Sequence, residues 1–389
     1  MAAGLLQILR LVSTISFMGS RRLSQRRRWT IAGTSAILIA AIAWSFTGPY
    51  RPAEPLPDGI VDMHCHVAGI GAGGSGCFVS AELRNSWKFR IYLRSFGVSE
   101  KELNEKGDRL IPGRISELLA ESRCASKAVI HALDGIIAED GSLDPKRTQL
   151  YVPNEFVADA VARHANLLFG ASVNPYRKDA LERLTWVAKN GAVLIKWIPS
   201  IMQIDPADPR LAPFYRRLVE LGLPLLTHAG KERSFSASID EYCDPEKLRL
   251  PLSLGVKVIA AHIASTGKYG GEDSAGRLAR MMREYPNLYS DISSLTQLNK
   301  RFYLQKALTR PEFSGRLMYG SDFPLINTAL VSPWYFFSRL KPWQLYAILR
   351  VRNPWDADIL LKHDLGIPAN IFSRSGQVLG RVSPNSGDR

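Results

Sequence analysis

The chain has 389 residues, 46% hydrophobic and 22% charged, the balance of a globular protein that buries a core. A net charge of +14 favours anionic membranes or anionic substrates over nucleic acid, because no basic helix interleaved with aromatics and no nucleic-acid motif accompanies it. Cys65, Cys77, Cys124 and Cys243 form no CxxC pair, which excludes a thiolate zinc site and a disulfide framework, though a single Cys77–Cys124 bridge stays open.

The amino terminus reads as an address. Arg10, Arg21, Arg22, Arg26, Arg27 and Arg28 make residues 1–28 basic, with no acid among them. An uncharged run from Trp29 to Phe46 follows. Its eighteen residues, at about 1.5 Å each, reach about 27 Å, enough for a bilayer with little tilt. Trp29 and Trp44 sit near its ends as interfacial aromatics do, and the preceding arginines leave the amino terminus in the cytoplasm. Four readings stay open: an uncleaved anchor, a signal cleaved near Ala41-Ile42-Ala43, a twin-arginine-type signal at Ser20-Arg21-Arg22-Leu23, or a buried core helix. The first three put the catalytic domain outside the cytoplasm, anchored or exported.

Residues 47–58, with four prolines, form an extended linker. The first strand, Ile60–His66, comes next. The Gly69–Gly76 loop lacks both GxGxxG spacing and a terminal Lys-Ser/Thr, so it is no phosphate cradle. Residues 68–126 are polar and helical beyond the glycines, and too long for a simple connection. They predict a lid insertion over the site.

Further strands are predicted at Lys127–Leu133, Leu167–Asn174, Ala192–Pro199, Leu223–His228, Val256–His262, Leu288–Ile292 and Arg316–Ser321. Helical stretches such as Pro213–Leu221 and Gly276–Tyr285 separate them. Continuous apolar runs suit strands buried on both faces. Eight strand–helix units predict an α/β fold, a closed (β/α)8 TIM barrel over residues 59–330, with its site at the carboxyl ends of the strands. Residues 331–389 read as added helices, with Trp334-Tyr-Phe-Phe, Trp343 and Tyr346 packing on the wall or facing a membrane, and a disordered tail from Ser383.

The chemistry-bearing residues fall at the predicted strand ends. His64 and His66 are two apart on a strand and so share a face, with Asp62 buried before them and Cys65 on the opposite side. His228 ends Pro224-Leu-Leu-Thr-His and His262 ends Val258-Ile-Ala-Ala-His. Asp322, in Tyr319-Gly-Ser-Asp-Phe-Pro, closes the set or caps the following helix. Four of the seven histidines thus sit at ends that would converge.

As an ordered set, Asp62-Met-His-Cys-His66, Pro224…His228, Ala261-His262 and Gly320-Ser-Asp322-x-Pro324 resemble the amidohydrolase superfamily, in particular the branch that includes aminocarboxymuconate-semialdehyde decarboxylase. The resemblance spans roughly residues 58–372. It implies that His64, His66 and His228 bind a divalent metal, usually zinc, and that Asp322 completes the site and serves as acid and base. His262 would assist or bind a second ion. Imidazoles and one carboxylate suit zinc and leave a position for water. Lys196, on the fourth strand, matches a carbamylated lysine that bridges two metals in binuclear members; a cation of the pocket wall and an ordinary strand-end lysine are the other readings. His131, Lys231, Glu232, Arg233 and Asp291 are further pocket candidates.

The expected activity is metal-dependent hydrolysis of an amide, ester or lactone in a small molecule. The alternatives are nonoxidative decarboxylation on the same ligands, or a tethered binding protein with a vestigial site. Retention of all five motif residues argues against the last. Specificity would reside in the loops, chiefly residues 68–126.

Overall fold

The computed structural model describes residues 25–47, 55–231 and 238–380. Eight strands form one sheet in chain order: β1 (Ile60–His66), β2 (Ala125–His131), β3 (Leu167–Ala171), β4 (Leu194–Trp197), β5 (Leu225–Thr227), β6 (Val258–Ala260), β7 (Leu288–Asp291) and β8 (Leu317–Met318). All seven neighbouring pairs are parallel. The sheet curls until the segment after β8 meets β1. Cys65 bridges Phe323 there, His66 N–H donates to the Phe323 carbonyl at 2.8 Å, and Asp322 N–H donates to the His64 carbonyl at 2.8 Å.

The principal helices are α1 (Gln25–Thr47), α2 (Trp87–Ser95), α3 (Glu100–Lys106), α4 (Leu110–Ala120), α5 (Asn154–Arg163), α6 (Ala180–Lys189), α7 (Ala212–Leu221), α8 (Ser274–Glu284), α9 (Tyr303–Thr309), α10 (Pro342–Leu349), α11 (Pro354–Asp364) and α12 (Ala369–Leu379). Their sequences account for them. In α8 the buried Ala275, Leu278, Ala279 and Met282 recur at i, i+3, i+4 and i+7, one face of a helix. In α7 Pro213 fits the first turn and Gly222 ends the helix in left-handed conformation. The outer core joins such faces to alternate strand residues, among them Ile130, Phe169, Ile195, Trp197 and Leu225.

A separate cluster fills the barrel interior: Val61, Met63, Val129, Leu194, Leu226, Ile259 and Met318. Helix α12 runs along β8 and β1 and delivers Val378 and Leu379 to it. Lys257 Nζ donates to the Val378 carbonyl at 3.0 Å and secures that end.

Within residues 68–126, α4 buries Ile111, Ile115 and Leu119 in the outer core against β2, while α2 places Phe89 and Tyr92 in the cavity wall. The membrane span is not supported. Among the described residues no helix is long and apolar enough to cross a membrane. Helix α1 exists, but Thr30, Gly33, Thr34 and Ser35 interrupt its apolar side chains, and the Thr34 hydroxyl is turned to the Thr30 and Ile31 carbonyls at 3.0 Å. The basic residues before 25, most of the linker and the tail beyond 380 lie outside the described residues. No disulfide forms among the four cysteines, Cys77 and Cys124 included.

Asp62 fastens β1 to the two segments that complete the barrel. It is fully buried and accepts from His64 N–H at 3.0 Å, Ser321 N–H at 2.8 Å, the Ser321 hydroxyl at 2.5 Å and Trp355 Nε1 at 2.8 Å. Burial pushes its carboxyl up to about 6, against hydrogen bonds that favour the ionised form. The folded chain then holds a proton there that the unfolded chain, with a value of about 4, has lost. This contribution to stability is full below about pH 4 and is lost as pH rises through about 6. Asp62→Asn is expected to remove that slope, worth on the order of 3 kcal/mol between pH 4 and 6, read from urea unfolding of both proteins across that range.

Candidate metal centre

The β1 histidines reach the site through a change of phase. Val61 and Met63 point into the barrel, so strict alternation would send Cys65 there as well. Instead the β1–β2 register shifts between Asp62 and Cys65, and Cys65 joins the outer core. That irregularity aims His64 and His66 into the mouth, as bulges beside active sites do.

There the His66 Nε2 lies 3.1 Å from Asp322 Oδ1, and the His64 Nε2 lies 3.7 Å from the same oxygen. His64, His66 and Asp322 offer ligand atoms within 4.8 Å of one another. Lys196 Nζ stands 2.8 Å from His64 Nε2, so the imidazole lone pair already faces a positive charge. The other nitrogen, Nδ1, lies 2.8 Å from Asp291 Oδ2 and 3.1 Å from the Ser293 hydroxyl. A hydrogen bond from Nδ1–H to Asp291 leaves the lone pair on Nε2, where a cation would take the place Lys196 holds here, the usual arrangement of a metal-ligating histidine. Donor chemistry and spacing therefore fit a divalent ion.

The same carboxylate organises a second strand end. Strand β6 stops at Ala260, and His262 lies in a turn where His262, Ile263 and Ala264 have φ of 56°, 51° and 50°. Such conformations cost about 1–3 kcal/mol each and need support from outside. Asp291 Oδ1 supplies it by accepting His262 N–H at 2.8 Å and Ser293 N–H at 3.1 Å, and Ser290 Oγ accepts Ile263 N–H at 3.0 Å. The His262 Nδ1 is 2.7 Å from the Ser293 hydroxyl, and its ring stacks on that of His64 with centroids 4.9 Å apart. His64, His262 and Asp291 thus form another close group. Because Asp291 is engaged by His64 and by the turn, it acts on the centre by positioning both. Asp291→Asn is expected to lower metal affinity about 10- to 100-fold with the fold retained, measured by competition with a chromogenic chelator.

His228 lines the same cavity but belongs to neither close group. Strand β5 ends at Thr227, so His228 lies one residue beyond it, with its ring centroid 5.4 Å from that of His262. His131 and Lys231 also line the cavity; Glu232 and Arg233 lie outside the described residues. The sequence reading missed Ser293 and Ser294. Ser294 has φ of 61° and its hydroxyl donates to Asp322 Oδ2, while Gln297 Nε2 donates to Ser294 Oγ at 3.0 Å. The run Asp291-Ile-Ser-Ser at a strand end was the available signal.

Burial holds His64, His131 and His262 well below the ordinary imidazole value, helped by Lys196 at the first two and by Lys300 at the third. Burial opposes ionisation of Asp322, but His262, His66 and His64 around it outweigh that and hold its carboxyl well below the usual range. The cavity, about 210 Å³, is walled mainly by Val67, Val79, Phe89, Phe96, Leu133, Ile198 and Leu325, with Thr266, Gln297, Asn299 and Lys300 as polar lining.

The family model described as Amidohydrolase matches residues 61–345, most of the chain and all of the ligand positions. The chain belongs to the amidohydrolase family. Amidohydrolases of this superfamily are metal-dependent enzymes, and this chain carries their divalent-metal chemistry on a TIM-barrel-like fold. An uncharacterised TIM-barrel protein of Bordetella bronchiseptica is similar at 16% identity and a TM-score of 0.51, covering 83% of this chain and 99% of that one. The 5-carboxyvanillate decarboxylase of Sphingomonas paucimobilis aligns at 12% identity and a TM-score of 0.47, over 84% and 99%. The dihydroorotase of Campylobacter jejuni aligns at 17% and 0.42, over 88% of each chain. No curated protein matches the chain.

Proposed function

We propose that this chain is a hydrolase that cleaves an amide, ester or lactone bond in a small molecule with one divalent ion, zinc by preference. The observation that carries the reading is the convergence of His64 Nε2 and His66 Nε2 on Asp322 Oδ1, at 3.7 and 3.1 Å, in the wall of an apolar cavity. Two imidazoles and a carboxylate are a zinc-type donor set, and His228 offers a further imidazole from the same wall. The ion, when bound, supplies Lewis acidity that brings the pKa of a water toward about 7.

The residues divide the remaining work. Asp322 is ionised, takes a proton from the attacking water and returns it to the leaving group. Ser294 donates to its Oδ2 and keeps the other oxygen turned to His66. Asp291 fixes the tautomer of His64 and the turn that presents His262. Lys196, 1% exposed, places a fixed positive charge where negative charge develops on the substrate. This makes Lys196 a pocket cation and the site mononuclear.

Elemental analysis of purified protein should find about one ion per chain. Chelation should abolish hydrolysis of a substrate panel, and added zinc should restore it. Two ions per chain, both lost on Lys196→Ala, would replace this reading with a bridged binuclear centre. A second reaction has one observation in its favour. Lys196, Lys231 and Lys300 all line the cavity and would attract a carboxylate. Carbon dioxide release without water consumption would make the enzyme a decarboxylase.

A further inference from the structure

One sector of the barrel mouth, around α2 and the segments after β7 and β8, is rich in cations. Between Glu82 and Glu100, between Asp291 and Glu312, and between Asp322 and Asp356 there are twelve Lys and Arg residues and no carboxylate; Arg84 pairs with Glu100 and Lys306 with Asp273, and Lys300 and Lys341 are buried. These stretches follow β1, β7 and β8, so each begins on the face where the site opens. They are stitched into one surface. Asn327 Nδ2 donates to the Ser95 carbonyl at the end of α2 at 2.9 Å, and Leu298 N–H donates to the Leu330 carbonyl at 2.9 Å.

Large apolar side chains stand out among those cations. On α2, Trp87, Arg90, Ile91 and Arg94 recur at i, i+3, i+4 and i+7 and are all exposed, while Phe89 and Tyr92 on the inner side line the cavity. Beyond α2, Phe302 is 63% exposed and lies under the Arg301 guanidinium, 4.8 Å from its ring centre. Trp334 and Phe337 are 57% and 58% exposed. Aromatic side chains interleaved with cations on one face are the composition of a surface that lies in the headgroup layer of an anionic bilayer. A second copy of the chain fits poorly, because a two-fold contact would set the exposed Arg90 and Arg94 of α2 and the cations around them against themselves.

We propose that the mouth face, led by the outer side of α2, docks on an anionic phospholipid bilayer. This docking is peripheral and does not use α1 as a span. The arginines before residue 29 also attract anionic lipid, so the test reads position as well as binding.

The full chain, with Ile91→Cys in a Cys124→Ser background, carries an NBD label on α2. Mixed with vesicles of 70% phosphatidylcholine and 30% phosphatidylglycerol, the label should shift to the blue and brighten; with phosphatidylcholine alone it should not. Arg90→Glu/Arg94→Glu and Trp334→Ser/Phe337→Ser, all exposed positions, should each lower partitioning at least about tenfold in co-sedimentation, with circular dichroism unchanged. A label that stays unchanged on vesicle-bound protein would overturn the proposal. So would variants that partition like the wild type, or a blue shift without lipid in a dimer seen by light scattering.

Discussion

Asp322→Asn is expected to lower turnover about 1,000-fold, within the range for loss of a positioned general acid–base. The carboxylate is 4% exposed, and it is gripped from both sides, by His66 at one oxygen and Ser294 at the other. Asparagine preserves the shape but cannot carry a proton between water and leaving group. It also turns an amide N–H toward one of these partners. Activity and metal content must be measured on the same samples. Turnover that falls about 1,000-fold at unchanged ion content assigns Asp322 the proton transfer. A fall that tracks ion loss, and is reversed by excess zinc, assigns it only ligation.

Lys362→Met is expected to cost about 3–5 kcal/mol of folding stability, read as a lowered urea midpoint with unchanged slope. Lys362 is 0% and Asp358 is 2% exposed. The ammonium donates to Asp358 Oδ2 at 2.7 Å and to the Gly320 carbonyl at 3.0 Å. Asp358 also accepts from the Tyr319 hydroxyl at 3.0 Å and from Thr296 Oγ1 at 2.9 Å. This network ties α11 to the segments after β7 and β8, which carry Ser294 and Asp322. Methionine fills the volume and strands the aspartate without its counter-charge. Lys362→Met combined with Asp358→Leu should recover a large part of the loss, since burying two apolar groups avoids an unpaired charge.

The centre was legible in the sequence where a strand delivers a residue directly. Ile60–His66 appears with the bounds its apolar run gave, and His64 and His66 share a face as their spacing required. Asp322 likewise follows an apolar run into the mouth. Legibility ended where loops decide. The phase change between Asp62 and Cys65 leaves no mark in a pattern of period two. The left-handed residues His262, Ser294 and Asp322 are not glycines, so nothing in their identity announces a turn. Asp291 was visible as a strand-end acid, but its hold on both His64 and the His262 turn depends on two strands meeting. Within residues 68–126, α4 is as amphipathic as its neighbours, and only packing shows which wall it covers. For α1, the run of uncharged residues was counted by length, which gave Thr30, Thr34 and Ser35 too little weight.

Val378 and Leu379 plug the end of the barrel opposite the metal centre, so among the described residues the catalytic chamber opens on the mouth side. Whatever is consumed and whatever is made must use that passage in turn, beneath α2. Traffic in such a dead-end room is sequential. The spent molecule blocks its successor until it departs, and product inhibition competitive with substrate follows from the architecture alone.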